Sequence, residues 1–398
     1  MRLLVTADIH LGAPIRSAAL RNPVLGASLR QASRDSLSDI VALAISERVD
    51  VLVLAGDVFD SAEPDLKIRA FLIAQLARAA AAGVETVLIR GNHDALLDHA
   101  AQGALGPKIH LLERARPTVE IGGVAFHGLS FERGHQQASF LPDYPPPSPG
   151  RRNVGLMHTS LEGAPGHDPY APCAEAALMA QGYNLWCLGH IHAPFARRAG
   201  DVLAVMPGIP QPRHFGERHG GSVALVTLGE GPPELVWHPV ARLRFVEARP
   251  DLSGCADQSE RAQAVRDALL AAQSPAQETA LRLTLASAKQ SEAELAALAA
   301  ALCEDVDQVH IDKLRRIDPP RAPGTAAQTD DLIRLMRAET AEPGFRQAAR
   351  EILAELRQAL PREIAEDLAE TALDDLLSAA LGEVSAELHR DAARPEDG

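Results

Sequence analysis

Three short apolar runs, at residues 3–7, 51–55 and 86–90, are each followed at once by a polar turn: Asp8, then Gly56-Asp57, then Gly91-Asn92. Runs of that length and composition are those of strands buried on both faces. Helix-like stretches lie between them at about 27–48 and 65–83, the second rich in alanine and stopped by Gly83. The order βαβαβ constrains the chain to a layered α/β sheet. In such sheets, side chains that do chemistry collect beyond the carboxyl ends of the strands. Further strands are predicted at 109–113, 123–128, 153–158, 184–188, 202–206, 222–228 and 234–238. Several of these connect without room for a helix, so the second half reads as antiparallel or mixed, with two facing sheets. The proline-rich segment 144–150 is expected to be a surface loop.

A chain of 398 residues is long enough for two or three compact units, and 46% apolar residues suffice to bury their cores. A small α/β module is expected from about 243, with strands at 243–248, 280–286 and 307–313 and helices at 258–272 and 291–302. The resulting division is 1–242, 243–317, a linker at 318–329 and a helical, acidic region at 330–398. In that last region Ile364, Leu368, Leu373, Leu376, Leu377, Ala380, Leu381, Val384 and Leu388 form an apolar stripe. Either the chain's own domains or a partner's helices would cover it.

The net charge of −14 is uneven. Residues 1–250 hold 24 acidic and 23 basic side chains, and the remainder 29 and 16. Acidic repulsion therefore belongs to the C-terminal part and does not exclude a polyanion from the N-terminal part. The four cysteines lack the spacing of a zinc knuckle or a disulfide framework. The first apolar run is too short for a signal peptide, and no run approaches the roughly 18 residues of a membrane span. A soluble, cytoplasmic protein is expected.

Beyond the strands lie Asp8-Ile9-His10, Gly56-Asp57 with Asp60, Gly91-Asn92-His93-Asp94, His158 and Gly189-His190-Ile191-His192. Period-two spacing turns Asp8 and His10 to one side, and His190 and His192 likewise. Asp, Asn and His suit Mn²⁺, Fe²⁺ or Zn²⁺, and no thiolate favours a softer ion. Each piece alone is a common surface pair or turn. Their order carries the signal.

In that order, D-x-H, G-D-x-x-D, G-N-H-D, H and G-H-x-H resemble the calcineurin-like metallophosphoesterase superfamily. The resemblance implies a two-sheet β-sandwich flanked by helices. It also implies one metal on Asp8, His10, Asp57 and His192, and a second on Asp57, Asn92, His158 and His190, with Asp57 bridging. The ions would be divalent, with Mn²⁺ the first expectation and Fe²⁺ or Zn²⁺ the others. His93 matches the catalytic histidine that is not a ligand, and Asp94 would orient its ring. An ordinary helix N-cap also accounts for Asp94.

Two further segments, 56–64 and 206–217, are similar to the SbcD-type DNA repair exonucleases and their YhaO-like branch. That likeness implies a metal-dependent DNA nuclease, exonucleolytic and possibly also endonucleolytic, acting by a two-metal mechanism. It places a DNA-facing capping domain at 243–317 and an SMC-like coiled-coil ATPase partner at the helical tail. A homodimer is left open, and no membrane partner is expected. Arg213, His214, Arg218 and His219 become candidates for DNA backbone contact, with an exposed polar loop as the alternative for each. Aromatic content of 4% gives little base stacking, so a partner would supply any firm grip on DNA. Two other functions stay open: a phosphodiesterase or phosphatase for small or protein-bound phosphates, and a non-catalytic scaffold that docks an ATPase.

Overall fold

The computed structural model describes residues 1–13, 23–61, 63–96, 106–134, 136–162, 170–287, 290–319, 327–359, 373, 376–377, 380–382 and 384. The chain begins β1 (Arg2–Thr6), α1 (Pro23–Ser46), β2 (Val51–Ala55), α2 (Leu66–Ala81), β3 (Glu85–Ile89), β4 (Ile109–Leu111), β5 (Thr118–Ile121) and β6 (Val124–Gly128). It continues β7 (Arg152–His158), α3 (Glu175–Met179), β8 (Leu185–Gly189), β9 (Phe195–Ala199), β10 (Val202–Met206), β11 (Ser222–Thr227) and β12 (Glu234–Pro239). The last elements are β13 (Leu243–Ala248), α4 (Gln258–Ala272), β14 (Glu278–Ala286), α5 (Glu292–Cys303), β15 (Val309–Ile317), α6 (Ala327–Ala341) and α7 (Pro343–Ala359).

Two mixed sheets of six strands form the sandwich, in the orders β12-β11-β1-β2-β3-β4 and β5-β6-β7-β8-β10-β9. In the first, β1, β2, β3 and β4 are parallel and β11 runs antiparallel to β1. In the second, β6, β7, β8 and β10 are parallel and both edge strands are antiparallel. The expectation of two facing, partly mixed sheets is therefore met. Strands β5 and β9 are additions that the sequence reading lacked.

Alternation along each strand builds the layers. Leu4, Leu52, Leu54 and Leu88 pack with Leu37, Ile40, Leu72 and Leu76 of the helices. Leu3, Val5, Val51, Val53, Val87 and Ile89 turn the other way, against Val154, Leu156, Leu185, Cys187, Leu203 and Val205 of the second sheet. Trp186 and Leu188 face a third cluster with Phe131, Tyr144 and Tyr183. The helix α2 starts on Asp65, whose carboxylate accepts from Lys67 N at 2.7 Å, and the chain then turns at Gly83 with φ +97°. Segment 144–150 lies outside any strand or helix, pinned by the buried Tyr144.

By internal contacts the chain forms two compact units. One comprises 1–248, 266–283 and 300–313, and the other 249–265, 284–299 and 314–398. A three-stranded sheet, β13-β14-β15, is parallel between β13 and β14. The helix α6 begins at Ala327, inside the expected linker. Of the expected C-terminal stripe, Ile364, Leu368 and Leu388 lie outside the described residues, whereas Leu373, Leu376, Leu377, Ala380, Leu381 and Val384 are helical. No helix among the described residues is long and apolar enough to cross a membrane.

Gly155 on β7 lies opposite Trp186 on β8, and a Cβ there would collide with the indole ring. Gly155→Ala is expected to cost about 1–3 kcal/mol by overpacking and Trp186→Ala about 3–5 kcal/mol by leaving a cavity. Since the smaller side chain makes room for the new methyl, the double variant should lose less than the sum. Denaturant melts of the three variants check this.

Candidate metal centre

Every candidate ligand stands at the carboxyl end of a parallel strand. Asp8 and His10 follow β1, Asp57 and Asp60 follow β2, and Asn92 and His93 follow β3. From the facing sheet come His158 at the end of β7 and His190 and His192 after β8. The segment holding Arg213 and Glu217 follows β10. The first two turns are stitched together by Asp8 N to Gly56 O at 3.1 Å, His10 N to Asp57 O at 3.0 Å and Leu11 N to Val58 O at 2.9 Å.

Four ligand-type residues hold left-handed backbone that ordinarily favours glycine: Asp8 (φ 52°), His10 (φ 47°), Asp57 (φ 49°) and His190 (φ 100°). Such conformations persist only where the surroundings enforce them, and they gather at functional sites. Gly91 has a related role, since a Cβ there would run into the Asp57 carboxylate and amide.

The Asp8 carboxylate is buried and accepts from His190 N at 3.0 Å with both oxygens. Burial raises its pKa, partly offset by His158 and His192. Asp57, equally buried, accepts from His93 N at 2.9 Å through Oδ1. Its Oδ2 lies 3.4 Å from His158 Nε2 and 3.8 Å from His10 Nε2. Burial works against its charge, yet His158 and His10 hold Asp57 far below the usual carboxylate range.

The tautomers are set from behind. His158 Nδ1–H donates to Ala55 O at 3.0 Å, so its Nε2 faces Asn92 Oδ1 at 3.0 Å and the Asp57 carboxylate. Burial disfavours a charged ring, but Asp57 and Asp8 outweigh it and push His158 up to about 9. Nε2 is thus the atom at which a divalent ion would compete with a proton. His192 Nδ1 donates to Glu217 Oε1 at 2.7 Å, and His10 Nδ1 donates to Asp60 Oδ1 at 2.9 Å. The two Nε2 atoms then meet at 3.2 Å. Burial and Arg213 lower His10 to about 4, so its neutral ring aims a lone pair at His192. A shared proton or a cation between these nitrogens resolves that meeting.

Among the described residues, three groups satisfy the distance requirements of an ion: Asp8, His10 and His192; Asp8, Asp57 and His158; and His10, Asp60 and His93. Oxygen and imidazole donors in this number fit a hard or intermediate divalent ion. His190 joins them by its ring, 5.3 Å between centroids from His158 and 5.2 Å from Tyr170.

The structure brings the seven ligand candidates together and distributes the others differently. His93 keeps 42% of its side chain exposed, edge-on to His10 at 4.8 Å between centroids. Its Nδ1 meets Asp60 O at 3.0 Å. The resemblance assigns the orienting role to Asp94. That buried carboxylate instead accepts from Gly91 N at 2.6 Å and Val58 N at 2.9 Å, bracing two turns, and burial and Asp57 raise it to about 6. Arg213 is engaged by Asp60 and Glu217 at 3.1 and 2.7 Å. His214 lies 3.4 Å from Glu217, and Arg218 and His219 are exposed. Glu217 and Asp60 had no assigned role. The only sequence signal for either was membership of the quoted segments.

Residues 1–194 match the calcineurin-like phosphoesterases, and that part of the chain is a calcineurin-like metallophosphoesterase domain. Metallophosphoesterases use two divalent ions, and the candidate groups above are in keeping with that. The chain is 26% identical over 267 residues to the uncharacterized metallophosphoesterase YhaO of Bacillus subtilis, covering 66% of this chain and 65% of that protein. It is 27% identical over 238 residues to the DNA double-strand break repair protein Mre11 of Methanopyrus kandleri, covering 54% and 50%. With a subunit of the nuclease SbcCD of Rhodobacter capsulatus it shares 36% over 96 residues, covering 24% and 22%. The chain therefore spans less than two thirds of the length of each of these relatives.

An alanine at position 91 should displace the Asp57 carboxylate and the backbone amide of the same turn. Mn²⁺ at about 100 times its dissociation constant should stabilise the wild type by about 2.7 kcal/mol. Gly91→Ala is expected to lose most of that increment and also to lower the metal-free melting point, because the methyl meets the Asp57 backbone amide as well as its carboxylate. Thermal melts with Mn²⁺ and with EDTA give both numbers.

Proposed function

We propose that this protein is a metal-dependent phosphodiester hydrolase acting on DNA, a repair nuclease whose exonuclease activity depends on two divalent ions, Mn²⁺ first among them. One ion would be held by Asp8, His10, Asp57 and His192, and the other by Asp57, Asn92, His158 and His190. The observation that carries this reading is the buried convergence of Asp57 Oδ2 on His158 Nε2 at 3.4 Å and His10 Nε2 at 3.8 Å. A carboxylate reaching toward two separate imidazole groups is placed as a bridging ligand would be. Two such ions supply stabilisation of phosphate charge and an acidified water.

The chain's own residues do the remainder. His93, exposed beside His10 and held through Nδ1 by Asp60 O, is positioned to pass a proton from Nε2 to a leaving oxygen. Asp60 would orient it, and Asp94 would fix the turns that carry Asp57 and Asn92.

Support for DNA as substrate comes from relatives that are by name a DNA double-strand break repair protein and a subunit of a nuclease. On the same reading, 1–242 is the nuclease domain, 243–317 a capping domain and 318–329 a linker to the helical region at 330–398. An SMC-like ATPase is the proposed partner of that region, the cytoplasm the proposed location, and the exposed Arg218 a backbone contact.

The purified chain with Mn²⁺ should degrade linear duplex DNA, and EDTA should abolish this. His93→Ala should lower kcat by about 10²–10⁴-fold while Mn²⁺ still binds in calorimetry. Turnover of a small phosphodiester with DNA left intact would select the small-substrate reading instead. Turnover of neither would leave the scaffold.

A further inference from the structure

We infer that Arg213 is a positioning residue that closes a ring of charge-assisted hydrogen bonds around one metal position and holds His10 and His192 in register. The inference rests on the metal assignment proposed above.

The ring can be followed atom by atom. His192 Nδ1 donates to Glu217 Oε1 at 2.7 Å, and the same oxygen accepts from Arg213 Nη2 at 2.7 Å. The other arm of the guanidinium, Nη1, donates to Asp60 Oδ1 at 3.1 Å, and that oxygen accepts from His10 Nδ1 at 2.9 Å. The circuit closes where His10 Nε2 and His192 Nε2 approach to 3.2 Å. Its members come from four separate turns, after β1, β2, β8 and β10.

Arg213 is the member that cannot be exchanged. It alone is a permanent cation in the circuit, and it touches one carboxylate with each terminal nitrogen. Its Nε and backbone N also donate to Glu217, at 3.2 and 2.7 Å. A planar fork spans two acceptors on different turns, whereas an ammonium on a flexible stem is a point charge. Glu217 is only 6% exposed. Without Arg213 it would keep the histidine hydrogen bonds but lose its ionic partner. By holding both carboxylates in place, Arg213 keeps each as the acceptor for a ring Nδ1–H, so that both Nε2 atoms point to one place. Partners of this kind behind metal ligands are worth about 10–100-fold in metal affinity.

The segment that bears Arg213 is itself anchored. Phe215 packs edge-on to Phe245 of β13 at 5.0 Å between centroids, and the Arg282 guanidinium lies 3.8 Å over the Phe215 ring. Gln211 donates to Leu243 O at 2.9 Å and accepts from Arg242 N at 2.8 Å. This burial is what a brace requires and what a mobile substrate-binding loop lacks.

The test is Mn²⁺ calorimetry on the full chain, with Arg213→Lys and Arg213→Gln beside the wild type, and Co²⁺ absorption as a signature of ligand geometry. The wild type should take up two ions. In both variants one ion should bind about 10–100-fold more weakly, with an altered Co²⁺ spectrum and the other ion unaffected. DNA turnover should fall in kcat with little change in KM. Melts in EDTA establish that the variants are folded, and if Arg213→Gln is not, Arg213→Lys decides. Two ions bound as in the wild type, with a rise confined to KM for DNA, would overturn the brace and make Arg213 a DNA contact. A wild type that takes up neither ion would remove the metal assignment itself, an outcome distinct from failure of the brace alone.

Discussion

Three carboxylates, Asp8, Asp57 and Asp94, are buried to 2% exposure or less, and the architecture around them is organised to keep them there. Charges removed from water are tolerated only when opposite charges or donors replace the solvent. His158 answers Asp57, His190 N answers Asp8, and the amides of Gly91 and Val58 answer Asp94. These donors lie at or beyond the carboxyl ends of strands in both sheets. The site therefore exists only when the two sheets face each other with β1, β2 and β3 set against β7 and β8. Left-handed backbone at Asp8, His10, Asp57 and His190 is the local consequence. Each turn bends more sharply than its side chain favours so that several ligands share one small volume.

The same crowding explains the chemistry. In the metal-free cluster a proton on His158 does part of what a cation would do. At the other position a neutral His10 leaves a lone pair facing His192 Nε2 at 3.2 Å. A divalent ion held by these residues would answer both deficits. The preorganisation is carried by hydrogen bonds on the far side of each ring, at Ala55 O, Asp60 and Glu217.

Legibility in the sequence followed burial. Strands covered on both faces, such as β1, β2 and β8, appear as unbroken apolar runs, and their polar successors stand out for the same reason. Strands β5 and β9 lie at the edges of the second sheet and are half exposed, with sequences TVEI and FARRA that carry no such run. The ligand candidates were legible because their residue types and turns are local properties. The roles of Asp60 and Glu217 were not, because each is defined by a partner distant in the chain: His10 lies 50 residues from Asp60, and His192 lies 25 from Glu217. Arg213 shows the limit most clearly. Its type and loop suggest a phosphate contact, and only the geometry reveals that both arms are already engaged.

Glu217 lies two residues beyond Phe215, in the same turn of 3-10 helix. Phe215 is held in a small apolar cluster with Leu25, Leu29, Leu243, Phe245 and Ala280, drawn from α1, β13 and β14. Residues of β13 and β14 thus pack against the turn that carries Glu217. A shift of Phe215 would carry with it the turn that bears Glu217, the carboxylate that holds His192. Rigid packing transmits such shifts because interiors are close-packed and have little room to absorb them. The apolar cluster and the hydrogen bond from His192 to Glu217 are for that reason linked, and the orientation of the His192 ring is coupled to the packing of β13 and β14 through Phe215.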